Sequence, residues 1–232
     1  MAEVVAEPGP GGSTRLPVLR SQAPLVLRRT PEGVYLVGAT AGPLGGDQLS
    51  VRITVRAGAS LCLRTVAASV ALPGLDDAES VLTVTAAVEP GGSLEYLPEP
   101  VVVADGARHA TDIRVTLAEG ASLVLRDELI LGRHGERGGS YRNSLRVDYA
   151  GLPLLRQSLE VSGTDDATRG PAILSGHRAC GTLLRVGPAL GIPEPALADQ
   201  FVATMPLATG PAVLVTALAH DAVTLRQRIA VP

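Results

Sequence analysis

Apolar and polar residues alternate in short runs along most of the chain, and turns containing glycine or proline separate the runs. Alternation with a period of two is typical of β-strands that bury one face. The pattern predicts strands at Leu25–Arg29, Val34–Val37, Leu49–Arg56, Leu61–Leu72, Val81–Val88, Leu94–Leu97, Val101–Ala104, Ile113–Leu117, Leu123–Leu131, Ser140–Val147, Leu152–Val161, Ala179–Val186 and Ala212–Leu218.

One glycine turn occurs three times in the first half of the chain. Its copies are Gly58-Ala59-Ser60-Leu61, Gly91-Gly92-Ser93-Leu94 and Gly120-Ala121-Ser122-Leu123, and each lies between two alternating runs. Repetition at this spacing indicates stacked structural units. We interpret each unit as a β-hairpin.

The two ends of the chain have different patterns. Residues 1–15 are rich in Pro and Gly without sustained periodicity, and we predict a mobile tail there. Near the other end, Glu194–Met205 and Asp221–Ile229 are predicted helices, with Pro193 and Asp221 near their starts. We expect one domain over residues 16–232. Its predicted class is all-β, with mainly antiparallel stacked sheets resembling a sandwich or β-helix and about two short C-terminal helices.

Composition excludes some classes of protein. Hydrophobic residues make up 46% of the 232 residues but aromatic residues only 2%, so the predicted core consists of Val, Leu, Ile and Ala. The net charge of −3 and the lack of a basic stripe argue against nucleic-acid binding. The sequence has no signal-peptide pattern and no apolar run of membrane-spanning length. We therefore expect a cytoplasmic protein without membrane contact, in which Cys62 and Cys180 are ordinary buried thiols, with a disulfide between them as the alternative.

Common catalytic and metal-binding motifs are missing from the sequence. The four histidines do not have zinc-ligand spacing, no G-x-S-x-G elbow occurs, and a chain without Lys has no P-loop.

Carboxylates are the remaining candidates for chemistry. Glu95 and Glu99 flank Tyr96-Leu97-Pro98, and Asp127-Glu128 occupy the corresponding place in the third repeat. Such groups could serve glycoside hydrolysis, hold a divalent cation, or prevent edge-strand association. Similarly, the loop Gly132–Gly139 could pair its two arginines with a partner's carboxylates or be a solvated hairpin loop. The pattern leaves these alternatives open.

An ordered series of motifs resembles the urease accessory protein UreD (UreH) family. The series comprises Leu25-Val26-Leu27-Arg28, Val34-Tyr35-Leu36-Val37, Gly42-Pro43-Leu44-Gly45-Gly46-Asp47-Gln48-Leu49, Leu94-Glu95-Tyr96-Leu97-Pro98-Glu99-Pro100 and Gly132-Arg133-His134-Gly135-Glu136. The chain departs from the family pattern after the first repeated turn, where Arg64–Val70 keeps only part of a Thr-rich strand.

The resemblance implies a non-catalytic maturation factor for a nickel enzyme. Its partners would be the urease apoprotein, UreF and, through UreF, the GTPase UreG, in a complex that could dimerise. No tightly bound cofactor is implied, only transient Ni²⁺ in an internal passage.

The resemblance also selects residues in this sequence. Asp47, Glu95 and Glu136 are the candidate metal ligands, and Glu99, Asp127 and Glu128 are further carboxylates that could line the passage. The family-motif residues expected at partner surfaces are Gly45, Gly46, Asp47, Glu95, Tyr96, Pro98, Glu99, Arg133 and Glu136.

Two other functions remain as alternatives. A carbohydrate- or ligand-binding β-module would need an exposed aromatic platform, which only Tyr35, Tyr96, Tyr141 and Tyr149 could supply. A hydrolase would use the pair Glu95 and Glu99.

Overall fold

The all-β class is confirmed by a computed structural model that describes residues 1–188, 190 and 196–229. Its strands, numbered in chain order, are β1 (Ala2–Pro8), β2 (Thr14–Ser21), β3 (Leu25–Thr30), β4 (Gly33–Gly38), β5 (Gln48–Val55), β6 (Ser60–Thr65), β7 (Ser69–Ala71), β8 (Ser80–Val88), β9 (Ser93–Leu97), β10 (Val101–Val103), β11 (Arg108–Leu117), β12 (Ser122–Leu131), β13 (Ser140–Tyr149), β14 (Leu152–Ser162), β15 (Ala179–Val186), β16 (Ala196–Asp199), β17 (Val202–Pro206) and β18 (Ala212–Ala219). The α-helices are α1 (Asp166–Arg169) and α2 (Ala222–Ile229), and a 3-10 turn spans Pro10–Gly12.

The strands form two stacked sheets. The small sheet has the order β14-β13-β11-β8-β5-β1-β2. The large sheet has the order β16-β17-β18-β15-β12-β9-β6-β4-β3; β10 also pairs with β12, and β7 pairs with β10. Among the described residues, neither helix has the length and apolar character needed to cross a membrane.

The repeated glycine turns join the two sheets rather than closing hairpins. Each turn connects a strand of the small sheet to a strand of the large one, β5 to β6, β8 to β9 and β11 to β12. The hairpin interpretation is therefore wrong, and the predicted antiparallel pairing is replaced by parallel pairing at the centre of both sheets. Alternation did not distinguish these cases, because a strand buries one face whether its sequence neighbour lies beside it or opposite it.

The three turns stack in register. Ser60 pairs with Ser93 and Ser93 with Ser122 along the large sheet. The amide of Ser93 donates to Ala59 O at 2.9 Å, and that of Ser122 donates to Gly92 O at 2.9 Å. Glycine is favoured at the first position because φ there is +70°, +68° and +74° in the three copies.

The main core lies between the sheets, close to these turns. Inward side chains of consecutive strands stack, as Leu61, Leu94 and Leu123 do in the large sheet. Burial of each such side chain contributes about 2 kcal/mol, so this part of the molecule holds the sheets together.

The structure differs from the predicted mobile tail at the N-terminus. Strand β1 lies between β5 and β2 in the small sheet, and its Ala2, Val4 and Ala6 side chains are fully buried. Two of the three inward residues are alanines, so the alternation was weak in the sequence. Pairing on both sides stabilises the strand nevertheless.

The first predicted C-terminal helix is also wrong. The described part of Glu194–Met205 contains β16 and β17, which pair antiparallel, and β17 pairs in turn with β18. Residues 193–195, including the predicted start, lie outside the described residues. Hydrogen bonding to the sheet edge overrides the helix propensity of this Ala-containing segment.

The second predicted helix is confirmed as α2. Asp221 caps it, since Thr224 N donates to Asp221 Oδ1 at 2.8 Å. Leu225 and Ile229 pack on the outer face of the large sheet with Ala179, Leu183 and Val215.

Candidate functional site

A cavity of about 380 Å³ separates the two sheets beyond the main core. Strands β12, β15, β17 and β18 of the large sheet line one side, and β13 and β14 of the small sheet line the other. Its polar lining residues are Asp127, Tyr141, Asn143, Gln157, Ser158, Cys180, Thr182, Gln200 and Thr216.

Asp127 is the carboxylate in this lining. It occupies an inward position of β12, in series with the buried Leu123, Leu125, Leu129 and Leu131. A charged residue therefore interrupts a ladder of leucines where the sheets separate.

The polar contacts of Asp127 come from the opposite sheet. Asn143 Nδ2, on β13, donates to Asp127 Oδ2 at 2.9 Å and also approaches Tyr141 Oη at 3.4 Å. Within the described part of the chain, no arginine or histidine forms an ion pair with Asp127. Gln157 Oε1 is buried in the same lining without a protein hydrogen-bond donor. The cavity thus contains two oxygen groups that could contact a cation.

Burial controls the protonation of this lining. Desolvation, and secondarily the charge of Glu128, raises the pKa of Asp127 to about 6. Desolvation and the nearby Asp127 raise the pKa of the Cys180 thiol to about 12. At neutral pH the aspartate is therefore mainly ionised, whereas the cysteine remains a thiol and is a weak metal ligand.

A buried hydrogen-bonded group lies beside the cavity in the small sheet. Ser80 Oγ is 2.9 Å from His109 Nδ1, and Thr111 Oγ1 is 3.4 Å from His109 Nε2. Burial lowers the pKa of His109 to about 4, so its imidazole is neutral at physiological pH. Ser80 and His109 are almost inaccessible to solvent, which leaves no room for a substrate.

Glu99 and Glu128 lie on the outer face of the large sheet, where arginines bind them. Arg226 of α2 donates to Glu99 Oε2 at 2.9 Å and also forms an ion pair with Glu128, whose side chain is fully buried. Arg126 Nε lies 3.3 Å from Glu128 Oε2, and Arg126 Nη2 lies 3.4 Å from Glu99 Oε1. These two carboxylates fasten α2 to the sheet and do not line the cavity.

The Gly45-Gly46-Asp47 motif builds a tight loop before β5. A Cβ on Gly45 would lie 2.5 Å from Gly74 N, so the loop requires glycine at that close approach. Gly46 has φ of +92°, and Asp47 Oδ2 accepts the amide of Leu44 at 2.9 Å. The motif thus has a clear structural role here.

The Glu95–Glu99 motif follows the alternation of β9. Glu95 is exposed on the outer face, opposite Cys62 of β6, while Tyr96 is buried in the main core. Pro98 O accepts a hydrogen bond from Arg126 Nη2 at 2.9 Å. Glu95 lines a cavity near Cys62, whereas Glu99 is bound by arginines. The two carboxylates proposed for a hydrolase therefore do not share any of the described cavities.

Arg133 and Glu136 bind each other within the β12–β13 loop. Arg133 Nε donates to Glu136 Oε1 at 2.7 Å, and the amides of Arg133 and Asp105 donate to Oε2 at 2.9 and 3.2 Å. The hydrogen bond from the Arg133 side chain is the main reason that the pKa of Glu136 falls to about 2.

The candidate metal ligands from the sequence are not brought together. Asp47, Glu95 and Glu136 belong to a loop before β5, to the outer face of β9 and to the β12–β13 loop. Within the described residues, no three His, Cys, Asp or Glu side chains form a metal-binding group. The cavity lining includes Asp127 but none of these three.

Sequence reasoning did not select Asn143 or Gln157. Their strands meet Asp127 only through stacking of the two sheets. Asn143 nevertheless had a signal, since it interrupts the inward series of Tyr141, Leu145 and Val147 on β13. Both cysteines are free, as predicted, but each is half-buried rather than buried.

Two of the four tyrosines considered for the platform of a carbohydrate-binding module are buried, whereas Tyr35 and Tyr149 are half-buried. Tyr96 and Tyr141 are 4% and 1% exposed, so neither can stack on a ligand at the surface.

Comparison with known proteins identifies the family. The model of the UreD urease accessory protein family matches residues 2–230. The chain is 46% identical to urease accessory protein UreD of Frankia alni, over 98% of this chain and 90% of that protein. The chain belongs to the UreD family.

Other UreD proteins give the same result. The identity is 47% with urease accessory protein UreD 3 of Streptomyces griseus, over 97% of this chain and 91% of that protein. The identity with urease accessory protein UreD of Parafrankia is 45%, over 94% of this chain and 82% of that protein. The predicted resemblance to UreD is confirmed over nearly the whole chain.

Proposed function

We propose that this chain is a cytoplasmic, non-catalytic maturation protein of urease. It links the urease apoprotein to UreF and, through UreF, to the GTPase UreG, and it assists delivery of Ni²⁺ to the urease active site. Membership of the UreD family supports the maturation role. Dimerisation of the accessory complex belongs to the same proposal.

The cavity between the sheets supports the nickel-passage part of the proposal. Asp127 is ionised at neutral pH and lacks an arginine partner among the described residues, whereas Glu99 and Glu128 are neutralised by arginines. A buried carboxylate without a fixed counter-charge attracts a cation. This contrast is the main support for the proposed nickel passage.

The weakness of the ligands favours transfer over storage. One carboxylate and neutral amide oxygens bind Ni²⁺ less strongly than thiolates do. Burial raises the pKa of the Cys180 thiol to about 12, so loss of its proton opposes tight binding of the ion.

Asp47, Glu95 and Glu136 remain proposed ligands at other points of the route. Glu95 is exposed, Asp47 lines a second cavity near Pro43, and Glu136 forms the loop contacts described above. Changing each residue to Ala and measuring urease activation tests this part, and full activation by all three variants contradicts it.

Complementation tests the proposed function as a whole. Cells that contain urease, UreF and UreG but lack this chain should produce urease with little nickel and little activity, and the chain should restore both. A pull-down with tagged chain should recover UreF and urease apoprotein. Full activation without the chain, or failure to recover either partner, contradicts the proposal.

A further inference from the structure

A row of arginines crosses the outer face of the small sheet. Thr85 of β8 pairs with Arg52 of β5 on one side and with Arg114 of β11 on the other. Arg114 pairs in turn with Arg146 of β13, and Arg146 pairs with Arg156 of β14. All five side chains are exposed. Five adjacent strands thus place four arginines in one line, in a chain whose net charge is −3.

The repeated glycine turns explain this alignment. Arg52, Thr85 and Arg114 each stand six residues before the first glycine of a turn. Because the turns stack in register, residues at the same distance from them lie side by side on neighbouring strands. Alternation then directs all three side chains to the outer face, opposite the main core.

Arg146 lies between two other arginines. Its cross-strand neighbours are Arg114 and Arg156, and like charges directly opposite each other destabilise a sheet. Each neighbour forms an ion pair with an aspartate, whereas no carboxylate pairs with Arg146 in the part of the chain that the structure describes. The charge of Arg146 therefore opposes folding rather than supporting it.

Carboxylates bound the row on its sides and at one end. Glu3 of β1 is the next residue in line after Arg52, but it binds Arg20 at 3.4 Å and leaves Arg52 without an ion pair among the described residues. Asp112 and Asp148 lie in the adjacent rows on either side. A bound anion must therefore fit a strip that is one arginine wide.

The strip favours an acidic protein segment over a nucleic acid. Guanidinium groups bind carboxylates and phosphates alike. Single-stranded nucleic acids also need aromatic side chains on which bases stack, and the outward positions of these five strands contain none. The row covers four intervals between strands, roughly 19 Å, so an extended peptide of about six residues matches its length.

We propose that Arg52, Arg114, Arg146 and Arg156 form a docking surface for an acidic protein segment with Asp or Glu side chains in series. Carboxylates of the segment bind the two unpaired arginines and relieve the repulsion around Arg146. The surface lies on the opposite side of the small sheet from the cavity, so it does not depend on the proposed nickel passage.

Binding of fluorescently labelled poly-L-glutamate to the full chain, followed by anisotropy, tests this inference. The row variant, Arg52→Thr with Arg146→Thr, removes the two unpaired charges, and Thr85 shows that threonine fits the row. Arg28→Thr with Arg29→Thr is the matched control. Both control arginines are exposed on β3, and neither forms an ion pair among the described residues.

The affinities decide between the row and general charge attraction. The row variant should bind polyglutamate about tenfold more weakly than the parent, because two ion pairs are lost, and the control should retain most of the affinity. An equal loss in both variants, or no binding by the parent, overturns the docking surface. Oligothymidylate that binds more tightly than polyglutamate and displaces it would assign the row to nucleic acid and overturn the proposal.

The melting temperature separates docking from a structural role. The row variant should melt at or above the temperature of the parent, because it relieves the repulsion around Arg146. A fall of several degrees would mean that Arg52 and Arg146 stabilise the sheet, contrary to the proposal.

Discussion

Asp127 and Glu128 are neighbours on β12, but their side chains lie in two different regions of the molecule. Glu128 points to the outer face of the large sheet, where Arg126 and Arg226 bind it beneath α2. Asp127 points into the cavity, where an amide of Asn143 is its hydrogen-bond donor. The outer region uses buried charge to fasten an element, whereas the cavity leaves a charge without a fixed partner. This difference supports the proposal that the cavity admits a mobile cation.

The largest loss of stability is expected when Glu128, on the outer face of the large sheet, loses its partner Arg226. Arg226→Ala leaves the buried carboxylate of Glu128 with Arg126 alone, and we expect a loss of about 3 kcal/mol in the free energy of unfolding. Urea denaturation measures it. Removing both groups in Arg226→Met with Glu128→Met should cost less than the single change. A loss below about 1 kcal/mol in Arg226→Ala would mean that the two regions do not differ as described.

A smaller effect of opposite sign is expected in the cavity. Folding raises the pKa of Asp127 from 3.8 to about 6, so the folded state binds its proton more tightly than the unfolded state does. This contribution to stability is complete below pH 3.8 and is lost as the pH rises through about 6. Asp127→Asn should therefore match the parent at pH 4 and be about 2 kcal/mol more stable at pH 7.5.

Denaturation of parent and variant across that pH range checks the prediction. Acid-induced changes elsewhere in the molecule cancel in the difference between them. A variant that is less stable than the parent at pH 7.5 would show that the ionised carboxylate stabilises the fold, contrary to the comparison.

The smallest effect is expected at Glu99, the more exposed of the two carboxylates that Arg226 binds. Glu99→Gln removes one charge from a side chain that is 33% exposed, and exposed ion pairs contribute at most about 1 kcal/mol. Thermal unfolding measures the change. A loss as large as that of Arg226→Ala would indicate that Glu99, rather than the buried Glu128, holds α2 in place.

The sequence alone predicted most strands, because alternation records which face of a strand is buried. It did not predict the partners of those strands. A glycine turn with φ near +70° serves a hairpin and a connection between sheets equally well, so Gly58, Gly91 and Gly120 did not distinguish them. At β1 and β17, pairing with neighbouring strands determines the structure, and a local pattern contains little of that information.

The candidate site was predictable only in part. Asp127 stands out in the sequence as a charge within a leucine series, and it was among the carboxylates considered. Its contact Asn143 and its neighbour Gln157 come from strands of the other sheet. Their convergence depends on how the sheets stack, which the order of residues does not reveal.

The nickel content of urease matured with Asp127→Asn tests the central claim most directly. Asp148→Asn is the control, since it removes a surface aspartate that pairs with Arg156. We expect urease from cells with Asp127→Asn to contain severalfold less nickel than urease from the parent or the control, while UreF still co-purifies with the variant. Normal nickel content with Asp127→Asn would contradict the claim that the unpaired carboxylate in the cavity serves the passage of the metal.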